Sequence, residues 1–508
     1  KNGRFSLDEN GNYVYDAKGD YIKTDDGAYT TIPGRKSIDT GKWPNASLTV
    51  SPRVGFTWDV LGDKTLKLRG GSGLFMGRSP LVFFTNMPTN SGMVQYQAQL
   101  SAKKKVDMSQ FAGGLVVNSE GRPTIDALRS KLIAMGYPEN ISPDKGTLPA
   151  TISAVSPDFK MPQVWKTTLA VDYKLPVSFP MQVTVEGIFD KNVNAACISD
   201  WSIPSAGGFA RFNGADNRPI YPAGFRNNLA AFVLENTHKG YFWSANVMVT
   251  ARPAEWINLM ASYTHQVRKE ITGMPGSNAE SAFTYVPTSE GPNHIKLHNS
   301  QYLTPDRFVA SMQINDKCNN HYSFIYETWR GGYNYSYMTV NDMNGDGYNY
   351  DAIYVPTDAE VESGAFRFVS QDDQDRFMAF LHNNKSLSKY QGKYAEGYSV
   401  YNPWVHRVDF SYKHDFKLNI GSTKHTLQLG IDIKNLLNLF NSSWGVSKTL
   451  NSAIGSDARI LKYEGVDAQG IATFSTPSAI NADTKLFTPL HALGQCWNMG
   501  ITVKYIFN

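Results

Sequence analysis

The amino-acid sequence predicts an all-β protein, an antiparallel sheet whose strands cross a membrane as part of a β-barrel. Three observations lead there. First, the chain closes on a strongly alternating stretch: Trp497, Met499, Ile501, Val503, Tyr505 and Phe507 share one face, and Asn498, Gly500, Thr502 and Lys504 the other, with Ile506 the exception. Strand side chains alternate with period two, so one face is wholly apolar with aromatics at both ends. Second, the connections between such stretches run short, long, short, long. Third, no run of about 18 or more apolar residues occurs, so no membrane-spanning helix is encoded; a membrane barrel encodes none either, because its strands alternate. Alone, the closing stretch fits an edge strand of a soluble sandwich equally well. The order of connections separates the two, since a transmembrane barrel has short periplasmic turns and long outer loops.

Composition agrees. Lys+Arg 49 against Asp+Glu 45 leaves +4 on 508 residues, which gives no charge argument for nucleic acid. Aromatics make up 13%, with 42 glycines, a mix that favours strands and turns. Cys197, Cys318 and Cys496 are far apart and fit no metal spacing. The chain opens at Lys1 without Met or signal peptide, as a mature or truncated product does.

Taken in order, residues 1–50 form an outer loop region with small hairpins, turning at Asp8-Glu9-Asn10-Gly11-Asn12 and Asp16-Ala17-Lys18-Gly19-Asp20. The barrel segment is 51–508. Its first hairpin is 51–60 and 65–76, alternating through Val54, Phe56, Trp58 and then Leu66, Leu68, Leu74, with Gly71 and Gly73 allowing close backbone approach. A long excursion to about 163 carries Lys103-Lys104-Lys105, a solvated turn, and a short helix from Thr124 to Met135 stopped by Gly136 and Pro138. Hairpins follow at 164–174 with 181–192, at 241–251 with 256–265, at 307–314 with 321–329, and at 405–415 with 426–435. With the closing strand these make eleven. Asp63 and Asn419 then face the periplasm, while Lys104 and Asp346 face outside. Val171, Val185 and Leu259 meet acyl chains, with Thr184 on the opposite face. Trp165, Trp256, Tyr263, Trp329, Trp404 and Trp497 suit the interfacial girdles.

One motif carries chemistry. Asp342-Met343-Asn344-Gly345-Asp346-Gly347-Tyr348 places side-chain oxygens at positions one, three and five, glycine at six and a backbone carbonyl at seven, as a calcium loop begins. The bidentate Glu at twelve is replaced by Ile353, and Asp351 is the carboxylate that could stand in for it. An Asx-rich turn without an ion uses the same residues. Asp372-Asp373-Gln374-Asp375-Arg376 reads as solvated loop charge. His294 and His298 lack the helix and glutamate that a zinc site needs. Arg407 and Asp409 share the face away from lipid, as a luminal salt bridge or a contact to a plug would. No catalytic constellation stands out, so an enzyme is not expected.

Several stretches resemble the TonB-dependent receptors of the Oar-like group. They are Ser51-Pro52-Arg53-Val54-Gly55-Phe56-Thr57-Trp58-Asp59, Leu68 to Phe75, Leu234-Glu235-Asn236-Thr237-His238-Lys239-Gly240-Tyr241, the Asp342 motif, Pro403-Trp404-Val405-His406-Arg407-Val408-Asp409, and Asn435-Leu436-Leu437-Asn438 with Trp444-Gly445. The likeness implies a 22-stranded barrel in the outer membrane, an N-terminal plug and energy from an inner-membrane TonB complex. No plug or TonB box stands in this sequence, so eleven strands correspond to the C-terminal half, and TonB is reached through a region outside it. The likeness also implies that Tyr505 and Phe507 act as an assembly signal. Function then reads as uptake of a bulky ligand. The alternative is a structural or accessory barrel whose loops contact a lipoprotein or other outer-membrane subunits.

Overall fold

The computed structural model describes residues 40–79, 81–91, 117–122, 124–140, 151–203, 209–221 and 230–507. The turns near Asp8 and Asp16 and the triple lysine lie outside the described residues. Eleven strands run in unbroken antiparallel order: β1 (Arg53–Asp59), β2 (Leu66–Met76), β3 (Gln163–Lys174), β4 (Met181–Asp200), β5 (Tyr241–Ala254), β6 (Ile257–Glu270), β7 (Asp306–Asn315), β8 (Asn320–Arg330), β9 (Val405–Ile420), β10 (Thr423–Lys434) and β11 (Asn498–Phe507). Each neighbours its sequence predecessor, which is the meander that alternating turns and loops impose. The sheet is open: among the described residues, β1 and β11 do not pair with each other.

Register sorts the side chains cleanly. Leu68 lies opposite Val171, Val171 opposite Val185, Val185 opposite Val247, and Val247 opposite Tyr263. Farther round, Phe324 lies opposite Phe410, Phe410 opposite Ile433, and Ile433 opposite Met499. A one-residue slip would move every one of these to the polar side. The β2 glycines are there for clearance. A Cβ on Gly70 would sit 2.9 Å from the Thr168 carbonyl oxygen, and one on Gly73 would sit 2.8 Å from that of Pro52. The β9–β10 turn is tight, Ile420 pairing with Thr423 across Gly421, whose φ is +61°.

The described parts of the long connections, read from sequence as loops, fold into a cap at the end of the sheet away from the short turns. Strand β4 runs beyond the wall and pairs with Ala230–Thr237, which pairs in parallel with Thr151–Val155. Helix Val82–Thr89 contributes Phe83, Phe84 and Met87 to the apolar cluster beneath, with Phe232 and Phe283. A second cluster gathers Tyr337, Ile353, Phe366, Phe377, Phe380, Ile460 and Phe474 from the β8–β9 and β10–β11 connections. Phe366 and Phe474 stack there at 4.7 Å and 2°. The expected helix forms over Ile125–Ala134, with the Thr124 hydroxyl accepting from the Ala127 N–H at 3.1 Å, but its apolar stripe is not buried. The charge run at Asp372 is not a loop. It opens helix Gln371–Asn383, where Asp373 is buried and accepts from the Thr476 N–H at 2.7 Å, and Arg376 pairs with both Asp372 and Asp373.

Candidate functional site

The wall presents two unlike faces. On the outer face Val185, Val247, Leu259, Tyr263, Ile431 and Val503 are exposed. On the inner face the groups are charged and bonded to one another. Arg69 meets Asp172 and Glu186, each at 3.0 Å, and the Thr184 hydroxyl donates to Asp172 at 2.7 Å. Lys166 pairs with Asp190 at 3.4 Å, and Asn246 donates to Ser262 and Thr264 at 2.8 and 2.7 Å. Thr184 does lie opposite Val185, but it is buried within this network. Trp329 departs from the girdle expectation. Its register turns it to the inner face, where the Arg407 guanidinium lies 5.4 Å from its ring.

Arg407 and Asp409 make no salt bridge with each other. Asp409 accepts the Asn435 N–H at 2.8 Å, while Arg407 donates to the Gly445 carbonyl at 2.9 Å and to Gln495 at 2.7 Å. Asn435 stands in the left-handed region at φ 53° and donates to the Gln495 carbonyl at 2.8 Å. A Cβ on Gly445 would fall 1.9 Å from the Asn435 amide oxygen. Asn438 holds the Ser442 and Trp444 carbonyls, each at 2.9 Å, and accepts the Trp497 N–H at 3.1 Å. This knot gathers the base of the last outer connection and delivers the chain into β11. The sequence offered Asn435, Asn438 and Gly445 only as part of a family likeness, because the partners that tie them to the wall, Arg407, Asp409, Gln495 and Trp497, lie far along the chain.

The closing strand pairs with β10 along its whole length, from His425 opposite Phe507 to Lys434 opposite Asn498. Tyr505 and Phe507 stand on the outer face, rings 6.0 Å apart, and Tyr505 stacks on His425. This is the position of an aromatic anchor at the short-turn rim.

The Asp342 motif lies in the cap. Asp342 accepts the N–H groups of Gly345 at 2.9 Å and Gly347 at 2.8 Å. Asn344 accepts from Asp346 at 3.0 Å, and Asp346 from Tyr348 at 2.8 Å. Asn344, Asp346 and Asp351 are buried. Burial raises the Asp342 carboxyl above the usual range, against the pull of the Gly347 and Gly345 N–H groups. Asp351 does not join that turn as a ligand would. It is bonded to Arg218 at 3.0 Å and accepts the Met343 N–H at 2.9 Å. Among the described residues no three His, Cys, Asp or Glu side chains stand together to hold a metal ion. Both Asp342 oxygens and one oxygen each of Asn344 and Asp346 accept backbone N–H groups, as in Asx turns.

Arg218 is the residue that sequence reasoning missed. Its guanidinium is fully buried, forked onto Asp216 at 2.9 and 2.8 Å, and bonded to the Ala352 carbonyl at 2.7 Å. The Tyr394 hydroxyl completes the set on Asp216 at 2.7 Å, with its ring 5.2 Å from Arg218. Burial pushes the Asp351 carboxyl up to about 6, although Arg218 opposes the shift. The nearest sequence signal was Asp216 two residues before Arg218; Asp351 was singled out only as a candidate calcium ligand, and nothing tied it to Arg218, 133 residues away.

With two-faced strands in this order, comparison with known proteins decides the family. The family model described as outer membrane beta barrel domain matches residues 4–458. The chain belongs to that family. This barrel segment is therefore an outer-membrane protein, and its apolar face meets lipid. No curated protein matches it. Among solved structures, the outer membrane transporter YddB from Escherichia coli is similar with a TM-score of 0.40 and 10% identity, over 90% of this chain and 41% of that one. A mutant of the ferric enterobactin receptor PfeA from Pseudomonas aeruginosa is similar with a TM-score of 0.35 and 8% identity, over 90% of this chain and 39% of that one. The chain thus spans about two fifths of the length of these structures.

Proposed function

We propose that this outer-membrane barrel is the C-terminal half of a TonB-dependent receptor of the Oar-like group. Further strands from outside this segment close it into a 22-stranded barrel, which takes up a bulky ligand. The observation that carries this reading is the inner wall. Its charged groups from Arg69 to Asp190 bond to one another across strands and leave a polar surface, as a large lumen requires, instead of packing a dry core. Among the described residues the eleven strands leave both edges unpaired and make half of such a wall, and in lipid each unpaired backbone group costs several kcal/mol, so both edges need partners. The Oar-like motifs named from the sequence support the same reading.

The accessory reading draws on a different observation. The cap has apolar clusters of its own and presents exposed Phe440, Trp444 and Leu493 near the base of the last outer connection, a surface that lipoprotein or other outer-membrane subunits could engage. Growth on single limiting nutrients separates the two. Uptake lost on deleting either the gene or TonB supports the receptor. Unchanged uptake, together with a stoichiometric complex recovered from the membrane, supports the accessory subunit and overturns the receptor.

A further inference from the structure

The outer face of the wall is not level. Ala251, Ala261 and Ala310, on β5, β6 and β7, follow one another across it. Ala261 and Ala310 lie directly opposite in register, and Ala251 lies beside Leu259. Each of these side chains ends at Cβ, whereas those around them are larger. Met181 and Leu259 flank Ala251, while Val249 flanks Ala261 and Tyr326 flanks Ala310. The difference in height leaves an apolar groove of about 440 Å³. It crosses five strands, from Met181 on β4 to Phe324 on β8, roughly 19 Å at about 4.8 Å per strand.

The groove is preformed. Tyr326 is the ring that could fold over Ala310. Its hydroxyl bonds to the His406 ring at 2.8 Å, and the two rings lie within 12° of parallel. His406 stands on β9, on the far side of Tyr326 from Ala310, so the bond ties the ring off the alanine floor. The short turns set the depth. Ile257 closes the β5–β6 turn against Ala254, and the exposed Trp256 marks the interface there. From Ile257 to Ala261 is about 13 Å of strand at ~3.3 Å per residue, or roughly 10 Å of depth at a tilt of about 40°. The apolar band of such a barrel is about 25 Å tall, so the groove lies in its periplasmic half.

The surroundings name the occupant. This face meets lipid, as the family match places it. Water gains little in an apolar groove, and an empty groove forfeits the dispersion contacts of its lining. Packing within a membrane relies on small residues that admit close approach, because hydrocarbon supplies no hydrophobic drive of its own. A second copy of the chain would bring another wall that is convex outward, and two convex walls cannot meet along the floor of a groove. The acyl chains of lipopolysaccharide occupy the outer leaflet, beyond the periplasmic half. A fatty-acyl chain of a periplasmic-leaflet phospholipid is narrow enough to enter and long enough to run its length.

We propose that this groove holds an acyl chain of a periplasmic-leaflet phospholipid and retains it when the protein leaves the membrane. The proposal rests on the outer-membrane location alone and is independent of uptake. The test is mass spectrometry of the lipids that stay with the full-length protein after extraction from outer membranes in mild detergent and exhaustive washing. Phospholipid remains in a fixed ratio to protein. Ala261→Leu with Ala310→Leu raises the floor and lowers that ratio about tenfold. Ala310→Leu alone lowers it less, and decides the matter should the double variant lose its heat-modifiability. Both changes add carbon to a face that meets hydrocarbon, so folding matches the parent. Val503→Leu, exposed on β11 outside the groove, keeps the full ratio. In phosphatidylcholine vesicles carrying a chain-labelled lipid, the motionally restricted fraction falls in the same variants. No phospholipid on the parent, an unchanged ratio in the filled variants, or an equal loss in Val503→Leu overturns the groove. Lipid A in place of phospholipid, or a dimer that the filled variants dissociate, overturns the occupant.

Discussion

Replacing Arg218 with Met should unlock the cap while leaving the wall intact. Arg218 is fully buried and is the cation shared by Asp216 and Asp351, themselves 2% and 1% exposed. Methionine fills much of the volume but strands two carboxylates, and breaking a buried pair in this way costs about 3–5 kcal/mol. Hydrogen exchange at Ala352 and Ile353, whose N–H groups bond to Thr288 and Tyr337, should accelerate by about a hundredfold to several thousandfold. Arg307→Met is the control. Its pair with Glu327, at 2.7 Å, lies at the exposed rim and is worth about 1 kcal/mol or less. Acidity adds a signature. The folded cap holds the Asp351 proton more tightly than the unfolded chain does. This contribution is fully present below about 3.9 and is lost as pH rises through about 6. Without Arg218 the Asp351 carboxyl titrates higher still, so the deficit of the variant is larger at pH near 8 than near 5. Exchange in Arg218→Met no faster than in Arg307→Met, or a deficit that grows in acid, would refute the reasoning.

Four other outcomes are expected. Val185→Arg, on the lipid face, costs roughly 2–4 kcal/mol near the midplane; Thr250→Arg, exposed on the inner face, costs less, and equal losses in folding yield would mean a two-sided soluble core. The native cysteines report orientation, because Cys318 is exposed at the short β7–β8 turn and Cys496 at the outer rim: an impermeant maleimide applied to intact cells labels a protein carrying only Cys496 and spares one carrying only Cys318, and the reverse would invert the barrel. Deleting 505–508 strips the cover from β10 opposite His425 to Leu427 and removes the Tyr505 and Phe507 anchor, so little heat-modifiable protein reaches the outer membrane; normal levels would remove the assembly role. Asp342→Ala unseats the Gly345 and Gly347 N–H groups and lowers cap stability by about 1–3 kcal/mol, equally with and without EGTA; a loss seen only when calcium is present would favour an ion-binding turn.

Much of the wall was legible in the sequence, because a strand facing lipid on one side and water on the other must alternate at every residue. All eleven strands appear, and the largest difference is at β4, which continues to Asp200 instead of stopping near 192. That end was hidden because beyond the membrane both faces meet protein, and the alternation fades. Trp329 shows a second limit. A tryptophan near a strand end fits a girdle on composition alone, and only its pairing opposite Val405 shows that it faces inward. The Arg218–Asp351 pair and the Asn435 knot were closed to sequence reasoning for one reason. Each joins residues far apart along the chain, and a contact of that kind leaves no period in it. Period and loop length determined the barrel; the partners of each buried charge were decided when the connections packed into a cap.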